Sequence, residues 1–99
     1  MAARGDEGAR RLAVRVISPT AVGFTGEGDS VIIPAYDGLL GILVGHAPMM
    51  TLLGTGNVVV KNGETVVAEI PVSGGFMQVV GDEVSVLAET VGAGHDGGA

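Results

Sequence analysis

His46 is the residue to question first, because few side chains here could move a proton or bind a metal. The chain has no cysteine, one tyrosine and two histidines, and His95 lies in a Gly-rich terminal stretch. A hydrolytic relay needs a hydroxyl nucleophile, a histidine to take its proton and an acid to orient the ring. Ser73 or Thr51 beside His46, with Asp37 as the acid, is the combination on offer. Nothing in the spacing brings these residues together, and Ser73-Gly74-Gly75 lacks the strand–elbow–helix setting of a nucleophile turn. A metal site fares no better, since His46 has no second ligand at a helical or hairpin spacing. Gly54-Thr55-Gly56 is not followed by Gly-Lys-Ser/Thr or by a helix pattern, so it reads as a turn and not as a phosphate loop. The residues therefore point to no catalytic group, no metal and no cofactor. His46 is expected half-buried, its ring bonded to a backbone group or to a partner. Gly74-Gly75 is expected to allow two backbones to pass closely, or to bulge.

The elements that must position these residues are strands. Leu12 to Ile17 alternates, with Leu12, Val14 and Val16 on the core side, and Ser18-Pro19 closes it. Val22 and Phe24 share a face, and Gly26 marks a bend or bulge. Ser30 to Ile33 forms a short strand ended by Pro34, and Tyr36-Asp37-Gly38 is a turn. Leu39 to Val44 is a nearly continuous apolar run, which predicts a strand buried on both faces or covered by a partner. The Gly45–Pro48 corner then leads into Met49 to Leu53. Asn57 to Lys61 and Glu64 to Ile70 flank Asn62-Gly63, the preferred two-residue hairpin turn. Phe76 to Val80, a turn at Gly81-Asp82 and Glu83 to Glu89 make another hairpin, with Val84, Val86 and Ala88 inward. About eight to ten short, mostly antiparallel strands at this spacing predict an all-β fold, a single flattened β-sandwich or barrel over residues 12–90. Residues 1–11 read as a disordered lead-in and 91–99 as a disordered Gly-rich tail.

Ninety-nine residues suit one domain. The net charge is −6, and beyond Arg15 only Lys61 is basic, a layout that repels phosphate backbones and argues against nucleic acid. Charged residues make up 16% of the chain against about 25% in ordinary soluble domains. With a mean hydropathy of +0.50, so few charges predict apolar surface left for a partner. No apolar run reaches the ~18–20 residues of a membrane-spanning helix. The N-terminus has no h-region, so no secretory signal is expected.

One ordered series of motifs goes further. Asp37-Gly38-Leu39-Leu40-Gly41-Ile42-Leu43 precedes Gly45-His46-Ala47-Pro48, and Met49-Met50-Thr51-Leu52-Leu53 follows it. Val72-Ser73-Gly74-Gly75-Phe76 comes next, then Val84-Ser85-Val86-Leu87-Ala88-Glu89-Thr90. The series spans roughly Leu12 to Thr90 and resembles the N-terminal domain of the epsilon subunit of F-type ATP synthases, called delta in mitochondria. The resemblance implies a β-sandwich at the foot of the central stalk, a rotor part that performs no bond chemistry. It implies a gamma-subunit-binding surface including Ser18, His46, Met49, Thr51 and Ser73. It also implies a c-ring-facing loop of Asp37, Gly38 and Leu39, where the family often has an acid at the position of Leu39. The location implied is peripheral, at the cytoplasmic face of the bacterial inner (plasma) membrane. Typical bacterial members continue into a helical hairpin that can bind ATP and inhibit hydrolysis. The Gly-rich end here has no such pattern, so a short form without that arm or its nucleotide site is expected. The rival reading is a free-standing β-sandwich module that binds an extended peptide or protein at an edge strand. It accounts for the apolar bias but not for the ordered motifs.

Overall fold

Branched side chains at alternate positions turn this sequence into sheet, and the glycines decide where the sheet bends. A computed structural model of the chain describes residues 11–92 and the backbone of 95–96. Among the described residues nine strands follow in order: β1 Leu12–Ile17, β2 Val22–Gly28, β3 Ser30–Ala35, β4 Gly38–Leu43, β5 Met49–Leu52, β6 Thr55–Asn62, β7 Thr65–Val80, β8 Glu83–Val91 and β9 His95–Asp96. No helix occurs among the described residues, and hence none there is long and apolar enough to cross a membrane. The all-β sandwich expected from the sequence is what the chain forms.

The strands are hydrogen-bonded in the order β2-β1-β8-β7-β6-β3-β4, with β5 and β9 both added to β7. Neighbours are antiparallel except β1 and β8, which run parallel. The 16-residue β7 belongs to both layers of the sandwich. Its first part pairs with β6, from Asn62↔Thr65 to Thr55↔Ser73. Its last part pairs with β8 and β5. The change comes at Gly74 and Gly75, whose φ angles are +71° and +98°. A Cβ on Gly75 would stand 2.1 Å from the Leu87 carbonyl oxygen. That is the close backbone passage expected there, and it is what lets one strand serve two layers.

The core is filled from both layers. Leu12, Val14, Val16, Met77, Val79, Val84, Val86 and Ala88 face Val31, Ile33, Ile42, Val58, Val60, Ala68, Ile70 and Val72, all of them buried, and no polar side chain is buried among them. Each large side chain of this kind contributes roughly 1.5–3 kcal/mol on burial. The expected core faces of β1 and β8 are therefore correct.

Several local expectations differ from the structure, each for a visible reason. Gly26 is not the bulge. The register shifts between Val16 and Ile17, which pair Phe24 and Val22, so Gly23 is the extra residue. Gly26 instead leaves room for the Phe24 ring, which a Cβ there would meet at 2.6 Å. Pro34 does not end β3. Its carbonyl accepts from Gly54 N at 2.8 Å, on the side away from β4, so the β4 ladder needs no N–H from the proline. Only Gly54 of Gly54-Thr55-Gly56 lies outside a strand, because Thr55 and Gly56 pair Ser73 and Val72. Asn62 pairs Thr65, so the β6–β7 turn is Gly63-Glu64 rather than Asn62-Gly63. Gly63 has φ +59°, and its N–H donates to Asp29 Oδ2 at 2.8 Å. The Arg11 guanidinium meanwhile donates to Asn62 Oδ1. β4 is an edge strand with Leu39 and Leu43 exposed, so its apolar run is not buried on both faces.

Residues 1–10, 93, 94 and 97–99 of the expected lead-in and tail lie outside the described residues. Val91 is the last residue of β8, and Gly92 N donates to Pro71 O at 2.9 Å. His95 and Asp96 pair Glu69 and Ala68. These three residues are therefore strand rather than tail. The returning chain answers backbone groups that β7 would otherwise leave open beyond β8.

Gly75→Ala should lower stability by about 3 kcal/mol or more, because it combines a forbidden φ with a backbone clash. Gly41→Ala, with nothing within 4 Å of the added atom, should stay within about 0.5 kcal/mol of the parent. Urea unfolding followed by circular dichroism measures both.

Candidate partner-docking face

Strand alternation gives every buried Val of the β5-β7-β8-β1-β2 layer a neighbour that points outward. On most soluble sheets those outward positions are polar. Here one row of register partners is apolar across all five strands: Leu52↔Phe76, Phe76↔Leu87, Leu87↔Ile17 and Ile17↔Val22. Leu52 is 60% and Val22 71% exposed, Phe76 is just exposed, and Ile17 and Leu87 are half-buried. At about 4.8 Å between strands, the row is roughly 19 Å long. Phe76, Leu87, Ile17, Ser18 and Pro19 also line a groove of about 450 Å³ whose floor includes Gly75. Two residues further along the strands the next row is mostly polar: Met50, Gln78, Ser85, Arg15 and Thr25.

The sequence-derived site residues surround this face without forming one cluster. Ser18 lies in the β1–β2 turn and is half-buried. Its N–H donates to Ala21 O at 2.8 Å, and its Oγ accepts from Thr20 N at 3.3 Å. It is a turn residue that also lines the groove. Ser73 precedes the Gly74-Gly75 crossing, and its hydroxyl shares a hydrogen bond with that of Thr55 at 2.9 Å. Thr51 and Met49 occupy the half-buried side of β5 opposite Met77 and Val79, while Met50 and Leu52 stand outward. His46 sits in the β4–β5 corner, half-buried. Its Nδ1–H donates to Ala47 O at 2.7 Å, and its backbone N–H donates to Leu43 O at 3.1 Å. The ring thus bonds a backbone group, one of the two arrangements expected. Ser73 and His46 each hydrogen-bond to other groups and not to each other. Among the described residues no three His, Cys, Asp or Glu side chains converge as a metal set would.

Asp37, Gly38 and Leu39 form a separate tip. Tyr36 and Asp37 make the β3–β4 turn, and Gly38, at φ +137°, opens β4. All three are exposed, Leu39 most of all at 76%. The tip is held to the neighbouring turn by Tyr36 N donating to Leu52 O at 3.0 Å and Gly54 N to Pro34 O.

The apolar row itself is what residue-by-residue reading missed. Its signal is an apolar residue on the solvent side of an alternating strand. In β8 the outward set is Glu83, Ser85, Leu87 and Glu89, and Leu87 breaks it. Asp82 is a second omission. Its carboxylate accepts from Gly45 N at 3.1 Å, and its backbone carbonyl from Ala13 N at 2.8 Å. One turn residue thereby ties the His46 corner and the start of β1 to the β7–β8 turn.

The class of domain that the fold defines is an all-β sandwich of two layers, here with an apolar row across one outer face. The chain is a member of the ATP synthase delta/epsilon family: the family described as "ATP synthase, Delta/Epsilon chain, beta-sandwich domain" matches residues 11–94. It is 41% identical over 81 residues to the ATP synthase epsilon chain of Leptospira borgpetersenii serovar Hardjo-bovis, an alignment covering 82% of this chain and 63% of that one. It is 46% identical over 77 residues to the ATP synthase epsilon chain of a Nostoc species, covering 77% of this chain and 56% of the other. The chain thus spans about three-fifths of the length of these curated relatives. The fold is also that of a chain in the Euglena gracilis mitochondrial ATP synthase structure, with TM-score 0.72 and 19% identity, covering 83% of this chain and 52% of that one. A chain in the Tetrahymena thermophila mitochondrial ATP synthase central stalk and c-ring matches with TM-score 0.68 and 12% identity, covering 85% of this chain and 67% of that one.

Asp82→Ala should speed hydrogen exchange at the Gly45 amide by about tenfold or more, because a charge-assisted bond closes that corner. Amides within the β7–β8 ladder away from the turn should change far less. Exchange followed by NMR or mass spectrometry reads both.

Proposed function

We propose that this chain is the β-sandwich part of an epsilon-type rotor subunit, which links the gamma subunit to the c-ring of an F-type ATP synthase and carries out no bond chemistry itself. The observation behind this reading is the apolar row Leu52–Phe76–Leu87–Ile17–Val22, aligned across five strands and open to solvent in the isolated chain. Contiguous apolar surface of this kind favours a permanent neighbour, and torque transfer calls for a large interface, upward of about 1,600–2,000 Å² in total. The family membership and the epsilon-chain names of the relatives support, as this reading, gamma as that neighbour. In this arrangement Ser18 borders the row and His46 and Ser73 lie at the rim of the contact, while on β5 the outward Met50 and Leu52, rather than Met49 and Thr51 on its core side, meet the partner. On this reading the Asp37-Gly38-Leu39 tip meets the c-ring loops, with one carboxylate and an exposed leucine as its contact chemistry. The subunit is then peripheral, held at the cytoplasmic face of a bacterial inner membrane by the complex it joins.

The sharpest check uses purified gamma subunit and this chain on a biosensor. Phe76→Glu should weaken binding at least about tenfold, since it puts a charge into the middle of a desolvated row. His46→Glu should weaken it less, as a change at the rim. Unchanged affinity in both variants, with folding verified by circular dichroism, would mean that gamma binds elsewhere or not at all.

A further inference from the structure

Resting on the gamma-docking reading, we propose that Arg15 sets the specificity of this face: the partner presents an apolar side chain to the groove and, about 7 Å to one side, a carboxylate to Arg15. Arg15 is the only basic residue among the strand residues of the β5-β7-β8-β1-β2 layer. It points outward from β1, between Ser85 of β8 and Thr25 of β2, its register partners. It is exposed and makes no ion pair or side-chain hydrogen bond with any described residue. Its place relative to the groove is fixed by the sheet. Ile17 lies two residues further along β1, so Arg15 stands about 7 Å from the apolar row. Glu89 lines the opposite side of the groove. The groove is thus apolar in the middle, with Glu89 on one flank and Arg15 on the other, where Glu83 and Glu27 stand one outward row beyond Arg15.

That polarity matters because the chain as a whole carries a net charge of −6. A generally basic partner would be drawn to almost any part of this surface. Among the strand residues of this layer only Arg15 can attract a carboxylate, so that one contact would fix where and in which direction the partner sits. A guanidinium is suited to this, because its fork of donors can grip a carboxylate with two parallel bonds. The groove supplies the affinity and Arg15 supplies the register.

The experiment measures binding of the full chain to purified gamma subunit from the same cells, over a range of salt concentrations. The parent should bind more weakly as salt rises. Arg15→Glu should lose about tenfold or more at low salt and lose most of the salt dependence, and Arg15→Gln should fall between the two. Leu87→Glu, which attacks the groove, is the control for the face itself. If Leu87→Glu abolishes binding while Arg15→Glu matches the parent at every salt concentration, the role of Arg15 is overturned and the docking reading stands. If neither variant changes binding, the docking face itself is wrong. Tighter binding by Arg15→Glu would mean that the partner offers a cation there, which also overturns the inference. Sedimentation of the chain alone tests a second copy as occupant. A dimer that Arg15→Glu dissociates, through Arg15 meeting Glu83 or Glu27 of the other copy, would overturn the choice of partner. Recovery of Arg15→Glu binding by a single acid-to-lysine change in gamma would identify the carboxylate directly.

Discussion

The Gly75 backbone passes so close to Leu87 that no Cβ fits between them, and both layers of the sandwich depend on that contact. Because β7 can turn there, its first half joins β6 and its second half joins β8 and β5 without a break in the chain. The turn also leaves a floor with no side chain beneath the groove lined by Phe76, Leu87 and Ile17. A side chain at Gly75 would push the two strands apart and fill the same space. Fold and groove thus share one steric condition.

A chain with few charges must still hold its turns in place, and two aspartates do so in the same way. Asp29 Oδ2 accepts the Gly63 N–H of the β6–β7 turn, and Asp82 Oδ1 accepts the Gly45 N–H of the β4–β5 corner. In both cases a carboxylate captures the amide of a glycine more than thirty residues away. Such bonds are stronger than neutral ones and fix a turn without needing apolar burial. The acids of this chain therefore tie loops together as well as colouring the surface. The face that carries the apolar row holds Arg15 as its one strand cation, with Glu89 lining the groove.

Apolar surface left open on an edge-rich sheet risks unwanted pairing between chains. The strands that end the sheet are β2 and β4, and β5 borders it on another side. β5 is only four residues long, and β2 carries a bulge at Gly23. Short or bulged edges are poor templates for another strand. The apolar row, in contrast, lies on a sheet face, where a partner must match its shape and not merely add backbone bonds.

Alternation alone determined the core. Leu12, Val14 and Val16, or Val84, Val86 and Ala88, could face only one way once their strands formed, because a period of two leaves no other choice. The order of motifs likewise carried the family, since it depends on residue identity and not on geometry. What the sequence could not settle were matters decided between distant segments. The β6–β7 turn moved by one residue because Asp29, far back in the chain, captures Gly63 N–H. β3 continued through Pro34 because Gly54 arrives to donate to its carbonyl. The Leu39–Val44 run came out half exposed because no second layer covers the face of β4 that carries Leu39 and Leu43. The apolar row was legible only as odd apolar residues at outward positions, Leu87 among them, until register brought five of them side by side. Local patterning says which way a side chain faces, whereas tertiary pairing alone decides which side chains meet.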